Sequence, residues 1–211
     1  MASTRTGIAA KQVQRELGIS YPTALRMCNA IRGCLKESYR IDSDCEVDET
    51  YMGNKRRYHN KRGRGTSKQP VFGIVHKGGV VVAEVVSDTK RETVLPIVER
   101  TVEKGVEIHT DEYNVYAPLA EMGYEHDTVK HGKRQYVKYR EDGTTVHTNG
   151  VEGFWSYPKN AIKGVHREVS DHKLQGNVNE YTLRYSHRDD EMPLFFTILQ
   201  KIVVQPFSQA A

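Results

Sequence analysis

The sequence predicts an α/β fold, a mixed sheet with flanking helices, preceded by a small helical segment. Three observations carry this. Apolar residues recur at helical spacing before residue 40, and from residue 45 the period changes to the alternation of strands. The later elements run strand, strand, strand, helix, strand, helix, strand, helix, an α/β order in which not every strand can be joined by a hairpin. Charged residues make up 27% of the 211 residues and hydrophobic ones 37%, a globular composition that excludes global disorder.

In the first segment, Ile8, Val13 and Leu17 mark one amphipathic helix. Gly18-Ile19-Ser20 makes a turn, with Ser20 as N-cap and Pro22 in the first turn of a second helix. Leu25, Cys28, Ile31 and Leu35 give that helix its apolar face, leaving Arg26 and Arg32 for contact with DNA. The pattern suits a helix-turn-helix over residues 1–40; a plain helical hairpin is the alternative.

Beyond it, residues 41–205 read as one α/β domain. Cys45 to Asp48 alternates as a strand ending near Asp48, and Pro70 to His76 and Val80 to Val86 are strands joined by a Lys77-Gly78-Gly79 turn. Lys90 to Val102 carries Val94, Leu95, Val98 and Val102 at helical spacing. Val106 to Thr110 is a strand ending at Asp111, Tyr113 to Met122 a helix and Glu125 to Lys130 a short strand. Gly132 to Thr148 is read as a polar connection. Helices follow from Asn149 to Ala161, around Leu174 to Tyr185 and around Met192 to Val203.

The net charge is +4, unevenly spread. Residues 1–40 hold seven Lys/Arg against Glu16 and Glu37, and residues 54–68 hold seven with no acid. Two basic islands on an otherwise acidic chain point to a polyanion, with Arg56, Arg57, Lys61 and Arg62 as contacts; a merely solvated loop is the alternative. No apolar run of about 18 residues exists, so no membrane partner is expected. Cys28, Cys34 and Cys45 are an odd set without a CxxC pair, which fits a reducing, cytoplasmic setting and gives no zinc site.

Asp48, Asp111 and Glu152 are the candidate catalytic and metal-binding residues. Carboxylates at two strand ends and a helix start offer the hard oxygens that Mg²⁺ prefers, with Mn²⁺ as an alternative. Asn149, three residues before Glu152, shares its helical face and is either a second candidate or an N-cap. Lys159, two turns beyond Glu152, is either placed to reach a DNA phosphate or a solvated surface lysine. Trp155 is either core or a base-stacking platform, and His147 is the one histidine close enough to the site to matter.

Val47-Asp48-Glu49-Thr50-Tyr51, Thr110-Asp111-Glu112 and His147-Thr148-Asn149…Glu152…Phe154-Trp155-Ser156…Lys159 resemble the catalytic blocks of bacterial insertion-sequence transposases with an ISXO2-like transposase domain. The resemblance covers about residues 8 to 200. It implies a ribonuclease-H-like fold and a two-metal, DDE-type cleavage of element ends with strand transfer to target DNA. It also implies a homo-oligomer on DNA, associated with the bacterial nucleoid. The family's acidic set, followed by a lysine, maps onto Asp48, Asp111, Glu152 or Asn149, and Lys159. The zinc ribbon that usually precedes the helix-turn-helix has no cysteine pair here, which reads as a truncated copy. Pro158 stands where the family helix usually continues, and Gly176-Asn177 and Ser186-His187 also depart from the pattern. A catalytically inactive, transposase-derived DNA-binding protein and another nuclease of the same fold are the competing readings.

Overall fold

The computed structural model describes the chain except for Ser3, Arg5, residues 54–67, His131, residues 133–135, Arg167, Glu168 and residues 205–211. Arg56, Arg57, Lys61 and Arg62 of the basic loop therefore lie outside the described residues. Two helices come first, α1 (Ala10–Leu17) and α2 (Tyr21–Cys34). Gly18 closes α1 in the left-handed region at φ 64°, which costs glycine least. Ser20 caps α2 by accepting the Thr23 N–H, as the sequence predicts.

The sheet follows: β1 (Cys45–Met52), β2 (Gln69–His76), β3 (Val81–Val85), β4 (Glu107–Thr110) and β5 (Glu125–Thr128), ordered β3-β2-β1-β4-β5. The β1–β2 and β2–β3 pairs are antiparallel, whereas β1–β4 and β4–β5 are parallel, so the sheet is mixed. Strand alternation sends Cys45 and Val47 to one face, where they meet α3 (Arg91–Thr101) through Val94, Ile97 and Val98. The opposite face, with Val71, Val75 and Val81, is covered by α4 (Asn149–Ala161) and α5 (Asp171–Ser186) through Phe154, Trp155 and Leu174. The last helix, α6 (Leu194–Val204), packs with α2 around Leu35, Leu183 and Ile198. No helix among the described residues is long and apolar enough to cross a membrane.

Three elements depart from the sequence reading. Strand β1 does not stop at Asp48; it runs on to Met52 because β2 pairs with its whole length. The segment expected as a helix over Tyr113 to Met122 is a 3₁₀ turn, Asn114–Leu119, around Pro118, whose missing N–H cannot sustain an α-helical ladder. The connection read as irregular contains a two-stranded hairpin, β6 (Val137–Tyr139) and β7 (Thr145–His147). In α4, Pro158 is buried within the helix, and a π-helical turn, Ile162–His166, follows its end.

Candidate active site

Parallel pairing sets Cys45 opposite Ile108 and Glu46 opposite His109. Carried two residues further at the same offset, this register brings Asp48 level with Asp111, which lies one residue past β4. The two aspartates are thus neighbours across adjacent strands although 63 residues separate them in sequence. The Asp111 carboxylate also accepts the Tyr113 N–H at 2.9 Å, an Asx turn that fixes the chain as it leaves the sheet.

Asp48 is half-buried on the face covered by α4. Burial pushes its carboxyl up to about 7, and the charges of Glu49 and Asp111 push in the same direction. Opposing them, the Trp155 indole N–H donates to Asp48 Oδ2 at 3.0 Å. Trp155 is itself buried, so its ring is core and not a platform for a base. It packs against Gly73, the residue paired with Asp48 on β2, where an added Cβ would stand 2.5 Å from two of the indole carbons. Glycine at 73 is what lets the indole reach Asp48.

Glu46 was not singled out by the sequence reading. It lies two residues before Asp48 on the same face and is 3% exposed. Its Oε2 accepts the Val151 N–H in the first turn of α4 at 2.9 Å, and its carboxylate crowds Gly150, leaving about 3.0 Å for a Cβ there. Thr148, not Asn149, is the N-cap of α4, and its side chain makes no capping bond. Glu46 performs that task from the sheet face beneath the helix. His147 Nδ1 lies 3.0 Å from Glu46 Oε1, an ion-pair distance without hydrogen-bond alignment. The alternation of Cys45-Glu46-Val47-Asp48 already set Glu46 beside Asp48 and was the available signal.

Helix α4 carries the third block. Asn149 and Glu152 are exposed in its first turn, and Lys159 is exposed two turns on. The end of the Lys159 side chain is desolvated, which lowers its pKa; Lys68 pushes it the same way while Asp48 and Glu152 oppose them. Lys159 therefore lies within electrostatic reach of one residue from the β1 strand and one from its own helix. Lys68, immediately before β2, is a fourth charge at this place that the sequence reading assigned only to the basic loop. Among the described residues, no three His, Cys, Asp or Glu side chains converge closely enough to hold an ion. Strand register brings Asp48 and Asp111 together, and Lys159 feels the charges of both Asp48 and Glu152.

Of the expected DNA contacts in the first segment, Arg26 is exposed on α2. Arg32 is not: it is 3% exposed, with its Nε donating to Glu180 at 2.8 Å and its Nη2 to the Ile8 carbonyl. Its guanidinium is thus engaged against α5, and the residue reaches only the floor of a groove. That groove, of about 720 Å³ between α1, α2 and the start of α5, is also lined by Lys11, Arg15, Tyr21, His172 and Lys173.

A family model described as ISXO2-like transposase domain matches residues 41–186, from just before β1 to the end of α5. No curated protein matches the chain.

Proposed function

This chain belongs to the ISXO2-like transposase domain family, and from that premise we propose that it is an insertion-sequence transposase which cleaves element ends and joins them to target DNA. The observation that carries the reading is the in-register pair Asp48 and Asp111, with Lys159 sensing both Asp48 and Glu152. The sheet order β3-β2-β1-β4-β5, with helices on both faces, fits a ribonuclease-H-like domain.

The donor set suits Mg²⁺, or Mn²⁺ in its place: hard carboxylate oxygens, two of them close enough to repel each other, a repulsion that a bound cation would relieve. Asp48, Asp111 and Glu152 are the residues that would hold it. When bound, a metal pair stabilises the attacking and leaving oxygens of a phosphodiester. The chain's own residues do the rest. Trp155 holds the Asp48 carboxylate in place, Glu46 fixes the first turn of α4, and Lys159 binds a phosphate beside the acidic pair. Glu152 is exposed, so it can join the aspartates by a change of rotamer without repacking the core. The helix pair α1–α2, with Arg26 and the groove bearing Lys11, Arg15 and Lys173, is the proposed helix-turn-helix unit that recognises DNA.

The test has two readouts. Trp155 is the sole tryptophan and bonds directly to Asp48, so its emission should change on Mg²⁺ titration and cease to respond in Asp48→Asn. Asp48→Asn, Asp111→Asn and Glu152→Gln should each abolish Mg²⁺-dependent cleavage of DNA bearing the element ends while leaving DNA binding intact. Three variants that cut like wild type would refute the metal site. Absence of cleavage by the wild-type chain, with binding retained, would establish the binding-only reading.

A further inference from the structure

Helix α6 is apolar on two faces, and among the described residues only one of them has a partner. Leu194, Thr197, Ile198 and Ile202 turn inward, toward Ile31, Leu35 and Leu183, and Lys201 on that side is tied to Glu37 at 2.8 Å. The other side presents Met192, Phe195, Phe196, Leu199 and Val203, exposed by 46%, 55%, 50%, 43% and 72%. At 3.6 residues per turn, the four stripe residues within α6 fall in an arc of about 100°, the width of a helix face that is normally buried.

We infer that this stripe is the contact surface for a second copy of the chain, with two α6 helices packed antiparallel across a two-fold axis. Two features favour a second copy over a partner of different chemistry. Lys201 is the only charged residue from Leu194 to Val204 and lies on the inward side, so pairing the stripe with itself opposes no like charges. Antiparallel pairing also sets each helix's positive end beside the other's negative end. The area is sufficient. Five half-exposed large side chains offer roughly 500 Å² per copy, or about 1,000 Å² in total, the lower limit for a specific interface. A dimer of that size is expected to associate in the micromolar range. The surface is independent of the acidic site, so its test needs neither DNA nor metal.

Sedimentation velocity of the full chain from about 1 to 100 µM brackets that range and should show a concentration-dependent dimer. Phe195→Glu with Phe196→Glu should shift the dimer midpoint upward by tenfold or more while the far-ultraviolet spectrum stays helical. Gln200→Glu, which adds a charge to the same helix beside the stripe, should shift it far less. Should the double variant fail to fold, Leu199→Cys decides. All three native cysteines are buried, so oxidation by copper phenanthroline with oxygen should link position 199 to its own copy. A wild-type chain that stays monomeric throughout overturns the proposal, as does a folded double variant that remains dimeric or a Leu199→Cys chain that forms no cross-linked dimer.

Discussion

A carboxylate buried beside the first turn of a helix meets that helix's positive end, and Glu46 lies in such a place against α4. Removing it leaves the Val151 N–H buried without its acceptor, a cost of about 1–3 kcal/mol, and loosens the turn that carries Glu152. Glu46→Ala should therefore lower the unfolding free energy from urea titration by that amount and reduce cleavage, whereas Glu46→Gln keeps an acceptor and should recover most of the stability. Equal stability of Glu46→Ala and wild type would show that α4 needs no acceptor from β1. The same residue marks how far the site was legible. Asp48, Asp111, Glu152 and Lys159 stood out because each occupies a recognisable block, and their neighbourhood follows from strand register and helix spacing. Glu46 fitted the same alternation but reads in sequence as one more acid in Glu46-Val47-Asp48-Glu49. Arg32 misled for the opposite reason. Its place on α2 suited DNA, but the partner that buries it, Glu180, is 148 residues away.

Long, strongly periodic elements were legible almost to the residue: α3 and α4 follow their apolar spacing, and α4 has the bounds the sequence predicts. Short elements were not. The β6–β7 hairpin turns at Asp142-Gly143, with Gly143 at φ 83°, a local signal outweighed by the polar residues around it. Its anchorage is tertiary and unreadable from sequence: Arg140 bridges Glu107 on β4 and Asp127 on β5, and Lys138 holds both oxygens of Asp127 at 2.8 Å. Burial alone would raise the Asp127 carboxyl, but Lys138 and Arg140 overcome it and hold it down to about 2. A carboxyl depressed in the folded state contributes stability above its unfolded value, and that contribution is lost as pH falls through the folded value. The anchorage should thus be fully present above about pH 4 and vanish toward pH 2. Lys138 and Arg140 are partly exposed, so solvent screening limits the contribution to about 1–2 kcal/mol. The unfolding free energies of wild type and Arg140→Met should differ by that amount at pH 6, and the gap should shrink as pH falls from 4 and close only below about pH 2. A difference independent of pH would mean that Arg140 acts through packing alone.

At the scale of the whole molecule, a buried charged cluster joins the two-helix segment to the sheet domain beside the apolar contact of Leu35, Leu183 and Ile198. Glu180 on α5 accepts from Arg32 on α2 and from Arg184 one turn along, while Arg184 also donates to the Thr4 and Met1 carbonyls and Arg32 to Ile8. Gly7, at φ 82°, passes so close that a Cβ would stand 2.9 Å from Glu180 Oε1. Two guanidiniums share one carboxylate with almost no water, so removing the carboxylate leaves two like charges buried together. Breaking a buried ion pair from one side costs about 3–5 kcal/mol. Glu180→Gln should therefore release the chain N-terminal to residue 35 before the sheet unfolds. Wild type should lose helical ellipticity and Trp155 fluorescence in one coincident urea transition, since α2 and α5 form a continuous unit. In Glu180→Gln the ellipticity should begin to fall at lower urea than the Trp155 signal, which reports on the β1–β2–α4 contact. Replacing all three charges together, Arg32→Met with Glu180→Leu and Arg184→Met, removes the unpaired charge as well as the pair. That variant should regain much of the loss and restore coincidence, because well-packed apolar groups commonly match a buried ionic cluster in stability. Coincident transitions in Glu180→Gln, with a loss below about 1 kcal/mol, would show that the apolar contacts around Leu35, Leu183 and Ile198 hold the two parts together without the charges.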